Sequence, residues 1–186
     1  KGANIGLHSI MMAKCGWSVT SYEPDPIHFN ILKNNLALNN ISNVILKDKA
    51  VSDIPGTLEF IRVIGNTTGS HLAGSKSSPY GDLDKFPVEV DSFKNVISNA
   101  DFVKVDAEGH ETNLILSTDN KDWEKLDMIA EIGTEENAKL IYNHFSKLNI
   151  NLFSQKIGWE KVTNLENMPR SHKEGSVFVS MQDKMF

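Results

Sequence analysis

The sequence predicts an α/β fold, in which short strands alternate with helices and form a mostly parallel sheet covered on both faces. Three observations predict this class. Apolar runs of strand length alternate with stretches of helical length, a glycine loop at Gly2–Gly6 precedes the first helix, and acidic residues follow two of the strands at Glu23 and Asp106. A length of 186 residues suits one domain, and we expect residues 1–186 to form it.

The first elements carry clear boundary signals. Length and composition predict a helix over Ile5–Cys15, and Gly16 stands where a helix stop belongs. A short β-type run follows at Ser18–Tyr22. Asp25 before Pro26 combines a capping residue with proline at the first helical position, so a second helix is predicted to begin there and to end near residue 38.

The later elements are predicted from short apolar runs and from helical spacing. Helices are expected to begin at Asn113–Leu116 and to cover Glu135–Leu148, and strands are expected at Val44–Leu46, Thr57–Val63, Val88–Val90, Phe102–Val105, Met128–Ile132, Leu152–Ile157 and Val177–Met181. No clear helix separates the last two strands, so an antiparallel hairpin is expected to close the sheet. The stretch Gly65–Pro87 is too long for a simple connector, which leaves a functional lid or a mobile surface loop.

The position of the glycine loop leads to a further expectation. A loop of this type normally follows the central strand of a doubly wound sheet. Here the loop begins at residue 2 with no strand before it. We therefore expect the first strand to be missing from this sequence, so that the domain is truncated at its N-terminus.

Composition argues against several classes of partner. The 19 Lys and Arg residues are outnumbered by 24 Asp and Glu residues, which gives a net charge of −5 and argues against nucleic-acid binding. The single cysteine, Cys15, excludes a disulfide within the chain and fits a reducing compartment, so a cytoplasmic location is expected. No apolar run reaches the roughly 18 residues of a transmembrane helix, so no membrane partner is expected.

The N-terminal segment has the features of a site for an adenosine cofactor. Gly2 and Gly6 allow a tight turn and a close approach of a ligand around Asn4, and the following helix offers free N–H groups at its positive end. Glu23 lies 17 residues after Gly6, at the end of the second predicted strand of the fold. A carboxylate at that position can accept hydrogen bonds from both hydroxyls of a ribose. The alternative is a plain tight turn with no ligand.

The identity of the cofactor follows from what the loop lacks. A dinucleotide loop needs a third glycine where Ser9 stands, and no Gly-Lys-Ser/Thr sequence follows to make a phosphate loop. S-adenosylmethionine has no pyrophosphate, and it needs a loop for its amino-acid tail and an acid for its ribose. Asp48 follows the next predicted strand, where it would accept a hydrogen bond from the adenine amine or else be a solvated turn residue.

The segment 101–111 holds the densest group of reactive side chains. The predicted strand Phe102–Val105 ends in Asp106, Glu108, His110 and Glu111 around Gly109, and ligands bind at the carboxyl ends of parallel strands. These groups would repel one another unless a cation, a proton or Lys104 offsets their charge. Methyl transfer to a hydroxyl needs a group that accepts the proton, and Asp106, Glu108 and His110 are the candidates in that order. An acidic turn that caps a helix is the alternative, and no metal ligands are assigned.

Five blocks of the sequence resemble the FkbM family of S-adenosylmethionine-dependent methyltransferases. They are GANIGLHS (2–9), YEPDP (22–26), FNILKNNLALNN (29–40), KAVSD with Gly56 (49–56) and KVDAEGHE (104–111), and the similarity continues to EIG at 131–133. The resemblance implies a Rossmann-like class I methyltransferase fold and O-methylation of sugars or natural-product hydroxyls. It also implies cofactor contacts at Gly2, Asn4, Gly6 and Glu23, with Asp106 near the reacting methyl.

Two departures from the family accompany this resemblance. The family's acidic residue two positions before the first loop glycine has no counterpart, and the leucine–glycine pair expected after Glu111 is replaced by Leu114-Ile-Leu-Ser. The predicted function is S-adenosylmethionine-dependent O-methylation of a small-molecule or glycan acceptor, with His71 as a candidate acceptor contact. A non-catalytic cofactor-binding module and an NAD-linked oxidoreductase are the alternatives.

Overall fold

The computed structural model describes residues 2–65, 69–74, 82–107 and 109–185. The chain forms two compact units, Lys1–Asp91 and Ser92–Phe186. Its helices are α1 (Leu7–Lys14), α2 (Pro26–Leu38), α3 (Phe93–Ile97), α4 (Glu111–Leu116) and α5 (Glu135–Leu148). Its strands are β1 (Val19–Tyr22), β2 (Val44–Lys47), β3 (Ala50–Ser52), β4 (Gly56–Val63), β5 (His71–Leu72), β6 (Leu83–Ser92), β7 (Phe102–Val105), β8 (Asp127–Glu131), β9 (Asn151–Ser154), β10 (Glu160–Lys161) and β11 (Ser176–Ser180).

In the first unit, β1 and β2 form a parallel pair in which Val19 lies opposite Val44 and Tyr22 opposite Lys47. The helix between them begins at the predicted residue. The Asp25 side chain accepts hydrogen bonds from the backbone N–H groups of Ile27 and His28, with Pro26 at the first helical position. This arrangement satisfies donors that have no partner within the helix and fixes the start of α2 directly after β1.

The first unit also contains a four-stranded sheet in the order β3-β6-β4-β5, in which β4 is antiparallel to both β5 and β6. The longest pairing joins β4 to β6 over eight residue pairs, from Gly56 opposite Val90 to Val63 opposite Leu83. One apolar cluster lies on this sheet and contains Ala50, Phe60, Leu72, Val88 and Val90, with Phe86 packed against it. Arg62 of β4 donates a hydrogen bond to Asp25, so this sheet lies beside the turn that follows β1.

The second unit is built on a five-stranded sheet in the order β10-β9-β11-β8-β7. Strands β7 and β8 are parallel, whereas β11 is antiparallel to both β8 and β9. Helix α5 buries Ala138, Ile141 and Phe145, and the Phe145 ring meets the Trp123 ring edge-on with their centroids 4.9 Å apart. The turn after β7 follows the carboxyl end of a strand that its parallel pairing with β8 supports.

Most predicted elements are present with small shifts of their ends. The expected strand Leu152–Ile157 ends at Ser154, because residues 155–157 form a 3₁₀ turn that Gly158 closes in a left-handed conformation. The antiparallel association of the last strands is confirmed by the pairing of β9 with β11. The expected short strand Val88–Val90 is instead the end of the ten-residue strand β6, and the predicted loop Gly65–Pro87 contains β5 and the first part of β6.

The prediction of a mostly parallel sheet is not confirmed. Parallel pairing occurs between β1 and β2 and between β7 and β8, and the β3-β6-β4-β5 sheet has antiparallel pairs. The chain has a mixed α/β architecture with several sheets. In the part of the chain that the structure describes, every helix is too short or too polar to cross a bilayer.

Candidate functional site

The glycine loop adopts a backbone conformation that ordinary side chains disfavour. Gly2, Asn4 and Gly6 all have positive φ angles, of 78°, 49° and 96°. At Gly6 a second constraint applies, because an added Cβ would lie 2.5 Å from Cδ1 of Leu32 in α2. Gly6 is therefore required by the turn and by the packing of the loop on α2, which accounts for the glycine without any ligand.

Glu23 fastens this loop to the end of β1. Its Oε2 accepts a hydrogen bond of 2.8 Å from the backbone N–H of Asn4, and its Oε1 accepts one of 3.0 Å from the backbone N–H of Asp25. The backbone N–H of Glu23 itself donates to the carbonyl of Lys47 in β2. One carboxylate thus joins the glycine loop, the turn after β1 and the start of α2.

The environment of the Glu23 carboxylate is nearly closed. The residue is 5% exposed, and this burial raises the pKa of the carboxyl above its ordinary value despite the two backbone hydrogen bonds, which act in the opposite direction. A carboxylate offers about four lone-pair positions, and the two backbone N–H groups occupy only part of them. The Glu23 carboxylate therefore keeps lone pairs for further hydrogen bonds.

Helix α1 is joined to β1 by a contact between hydroxyls. Ser9 Oγ lies 2.7 Å from Ser21 Oγ, and both residues are buried. Ser9 stands where a dinucleotide loop would have its third glycine, whose role is to let helix and strand approach closely. A pair of hydrogen-bonded serines fills that space here.

Asp48 lies directly after β2 and is exposed, as expected of a residue at the end of a strand. The next residue, Lys49, pairs with Glu89 at 3.1 Å and with Asp91 at 3.3 Å. Asp91 also accepts a hydrogen bond of 3.3 Å from the hydroxyl of Tyr22. This polar network ties the ends of β1 and β2 to β6 and leaves Asp48 at the surface.

An ion pair that the sequence did not predict supports the turn after β1. Asp25 is fully buried, and it receives two hydrogen bonds from Arg62, from Nε at 2.7 Å and from Nη2 at 2.8 Å. Burial by itself would raise the pKa of Asp25, but the Arg62 guanidinium and the N–H of Ile27 outweigh it and hold that pKa below its usual range. A carboxylate that both caps α2 and pairs with an arginine on both oxygens is strongly held.

The second unit presents Asp106 directly after β7. Its Oδ2 lies 2.9 Å from Nζ of Lys104, two residues earlier on the same strand. The Asp106 side chain is 35% exposed, so the carboxylate is reachable from solvent while its charge is balanced. Of the three ways to offset the charge of this acidic segment that the sequence left open, a cation, a proton or Lys104, the structure has Lys104 beside Asp106.

The other candidates of this segment differ in their surroundings. His110 immediately precedes α4 and is buried, and its backbone N–H donates to the carbonyl of Ala107 at 3.3 Å. Glu108 lies outside the described residues. Of the candidates for proton transfer, Asp106 is an accessible carboxylate and His110 is a buried imidazole on the same short turn.

Glu111 fixes the shape of this turn. The buried carboxylate accepts hydrogen bonds from the backbone N–H groups of Ala107 and Gly109, the latter at 3.0 Å. Gly109 has a φ angle of 98°, which allows the turn to bring both donors to one side chain. Glu111 and Glu23 thus have the same role, since each carboxylate accepts hydrogen bonds from backbone N–H groups of a turn. In the sequence, the position of Glu111 in the acidic segment was the signal for it, and that position did not reveal this role.

We expect Glu111→Ala to lower the free energy of unfolding by about 2 kcal/mol, because the buried N–H of Ala107 and the partly buried N–H of Gly109 lose a charged acceptor. Urea unfolding measures the change, and Glu124→Ala is the matched control at an exposed position of the same unit. Equal losses in the two variants would show that the Glu111 carboxylate does not hold the turn.

His71, the candidate acceptor contact, is buried on the edge strand β5. Its Nδ1 lies 2.9 Å from the carbonyl oxygen of Gly69, so Nδ1 carries the proton in this contact. Nε2 is buried and meets no hydrogen-bond partner among the described residues. The side chain is 1% exposed, so it does not reach solvent in this conformation.

Comparison with known proteins covers both turns that a buried glutamate holds, the glycine loop with Glu23 and the turn after β7 with Glu111. The family model described as "Methyltransferase FkbM domain" matches residues 2–165, which include both turns. The chain belongs to the FkbM methyltransferase family. The resemblance seen in the sequence is thereby confirmed, and the match extends past the five blocks to residue 165.

A curated relative of this FkbM-family chain is similar to it over part of its length. "Methyltransferase sdnD" of Sordaria araneosa is 28% identical over 159 residues, which cover 66% of the chain and 60% of the relative. The chain thus spans about three fifths of the length of that relative. Among solved structures, none matches this chain.

Proposed function

We propose that this chain is an S-adenosylmethionine-dependent methyltransferase that methylates a hydroxyl group of a saccharide or secondary metabolite. Methyl transfer as such accords with its family and with the name of the sdnD relative. The observation that carries the choice of cofactor is the hydrogen bond of 2.8 Å between the Asn4 N–H and Glu23 Oε2. It puts an acid suited to a ribose beside a loop suited to an amino-acid tail.

The chemistry of these residues fits the cofactor. Glu23 keeps lone pairs for ribose hydroxyls, and the loop around Gly2, Asn4 and Gly6 precedes α1, at whose start the described residues provide no side-chain cap. Asp48 at the end of β2 would accept a hydrogen bond from the adenine amine. The buried serine pair at Ser9 speaks against a dinucleotide, whose loop needs a glycine at that position.

Bound S-adenosylmethionine supplies a methyl group activated by a sulfonium. The chain's own part is then to orient the acceptor and to take the proton that the hydroxyl loses when its oxygen forms the new bond to carbon. We assign that proton to the carboxylate of Asp106, whose charge Lys104 balances at 2.9 Å. Glu108 and His110 are the remaining candidates for this role, and His71 is kept as a candidate acceptor contact.

The finer architecture is also a proposal. The parallel pairs β1–β2 and β7–β8 support a Rossmann-like class I methyltransferase fold. That residues 1–186 form one domain stays a prediction. A cytoplasmic location remains a prediction from the single cysteine.

The direct test is ligand-dependent thermal stability. We expect S-adenosylhomocysteine at about 100 times its Kd to add about 2.7 kcal/mol to the free energy of unfolding, whereas NADH adds nothing. Stabilisation by NADH would favour an oxidoreductase, and stabilisation by neither ligand would contradict the proposal.

A screen of hydroxylated acceptors with methyl-labelled S-adenosylmethionine then tests turnover. Binding without transfer to any acceptor would favour a non-catalytic module, and Asp106→Asn should bind S-adenosylhomocysteine normally while losing transfer.

A further inference from the structure

A cleft of about 380 Å³ lies in the first unit, with walls from the first turn of α2, from the end of β4 and from β6. This volume falls within the range of about 300–1,000 Å³ that is usual for small-molecule sites. Among the described residues that line the cleft, none is a candidate for the cofactor, for proton transfer or for the acceptor. The side chains of its walls form a polar set and an aliphatic set, which are His28, Arg62 and Asp84, and Ile27, Val63 and Ile64.

The charged groups of the cleft leave one negative charge in excess. Asp25 is fully buried and accepts hydrogen bonds from Arg62 Nε at 2.7 Å and from Nη2 at 2.8 Å, so these two groups neutralise each other. The third guanidinium nitrogen, Nη1, donates to Asp84 Oδ2 at 2.9 Å. One cation therefore faces two carboxylates, and the excess negative charge lies on Asp84, whose side chain is 48% exposed.

His28 adds a buried polar group to this wall. The residue is 7% exposed, and its Nδ1 lies 3.8 Å from Asp25 Oδ2, which is beyond hydrogen-bond distance. Within the described part of the chain the ring makes no hydrogen bond. A neutral imidazole whose proton is on the nitrogen near Asp25 offers its other nitrogen, Nε2, as a hydrogen-bond acceptor. The cleft thus presents two acceptors, the Asp84 carboxylate and the His28 ring.

The remaining walls are aliphatic and partly open to solvent. Ile27 is 52% exposed and Ile64 is 58% exposed, although both side chains are fully apolar. A ligand that covers them removes apolar surface from water, which favours an occupant with a hydrocarbon body. Walls of low polarity also strengthen the field of a nearby unbalanced charge, so the excess charge of Asp84 favours a cation in this cleft.

We propose that this cleft binds a small primary amine, in its ammonium form, that carries a hydrocarbon body. An ammonium has three donors and no acceptor, so it matches a cleft whose polar groups with capacity to spare are the acceptors of Asp84 and His28. An anion would add to the excess negative charge, and an alcohol would leave that charge unbalanced. The site is separate from the proposed methyl transfer and does not depend on it.

The test uses three probes of one shape, which are cyclohexylamine, cyclohexanol and cyclohexanecarboxylate. Each is titrated into the protein, and the His28 ring resonance is followed by NMR. We expect cyclohexylamine to shift this resonance saturably and to bind about fivefold more tightly than cyclohexanol, with the carboxylate the weakest of the three. In about 1 M KCl the preference for the amine should shrink, because salt screens a partly exposed charge. Failure of the amine to bind, or binding of cyclohexanol that is equally tight, would overturn the proposal.

Substitutions locate the binding and its cause. Asp84→Asn should abolish the preference for cyclohexylamine over cyclohexanol, while the Asp25–Arg62 pair keeps the wall in place. Asp53→Asn makes the same change of charge at an exposed position outside the cleft and should keep the preference.

Two further arms separate this cleft from other sites. Ile64→Trp should fill the cleft and abolish the shift, and Ile27→Trp is a second filling variant in case Ile64→Trp is unstable. A preference that survives Asp84→Asn, or a shift that persists in both filling variants, would place the amine elsewhere and overturn the proposal. Displacement of cyclohexylamine by S-adenosylhomocysteine, whose amino-acid tail also carries an ammonium, would make the cleft part of the cofactor site and overturn it as well.

Discussion

Glu23→Ala is expected to weaken the binding of S-adenosylhomocysteine at least about 100-fold. Two hydrogen bonds from ribose hydroxyls to a charged oxygen contribute about 1.5–3 kcal/mol each, and a factor of ten in affinity corresponds to about 1.4 kcal/mol. The same substitution also releases the N–H groups of Asn4 and Asp25, so the loop loses its fastening. Isothermal titration calorimetry measures the affinity, and Glu59→Ala at an exposed glutamate of the same unit is the control.

A deoxy analogue separates the two roles of Glu23. In the wild-type protein, S-adenosylhomocysteine should bind more tightly than its 2′-deoxy form, because the analogue cannot donate one of the two hydrogen bonds. In Glu23→Ala this preference should disappear. If the variant weakens both ligands equally and keeps the wild-type preference, Glu23 only shapes the loop and the ribose is held elsewhere.

The local elements were predictable because their signals are local. Asp25 and Pro26 mark the start of α2 in the sequence, and the structure shows the cap hydrogen bonds that this pair implies. Gly16 has a φ angle of 87° where a stop for α1 was expected. Such boundaries depend on a few neighbouring residues, whose conformational preferences survive in the folded chain.

Pairings between distant segments were not predictable in the same way. The β4–β6 hairpin joins residues separated by a long stretch without a turn signal that fixes its register, so β6 was predicted at a third of its length. The edge strand β5 has only two residues, too few for periodicity to reveal it. Antiparallel register depends on cross-strand packing, such as that of Phe60 against Phe86 with ring centroids 5.6 Å apart.

The candidate site shows the same division. Sequence spacing pointed to Glu23 as an acid near the glycine loop, and the structure has a hydrogen bond between the two. For the acidic segment after β7 the sequence left a cation, a proton or Lys104 as the balancing charge, and the structure pairs Lys104 with Asp106. The spacing could not show that Glu111 holds the backbone of its turn, because a carboxylate in an acidic segment has the same pattern whether it binds a ligand or an N–H group. Nor could it pair Asp25 with Arg62, which is 37 residues away.

Arg62→Met is expected to lower the free energy of unfolding by about 3–5 kcal/mol. The substitution leaves Asp25 buried without its cation, and breaking one partner of a buried pair costs about this much. Urea unfolding at neutral pH measures the loss. Lys85→Met is the matched control, because Lys85 pairs with Glu59 at 3.5 Å on the surface and such pairs contribute at most about 1 kcal/mol.

The pH dependence of this loss identifies the Asp25 charge as its cause. The pKa of Asp25 lies below its ordinary value of 3.8. Burial raises this pKa, and the hydrogen bonds from Arg62 and from the N–H of Ile27 lower it by more. A carboxyl whose pKa is lowered by folding stabilises the fold at a pH above its unfolded-state pKa. That stabilisation is lost as the pH falls through the lower folded-state pKa. The unfolded state is the same in both proteins, and without Arg62 burial raises the folded-state pKa of Asp25. The gap between wild type and Arg62→Met should therefore narrow as the pH falls from the pKa of Asp25 in folded Arg62→Met to its lowered pKa in the folded wild type. Asp25→Asn combined with Arg62→Met should recover part of the loss at pH 7. A gap that is the same at pH 7 and at acid pH would mean that Arg62 acts through its contact with the Phe86 ring and not through Asp25.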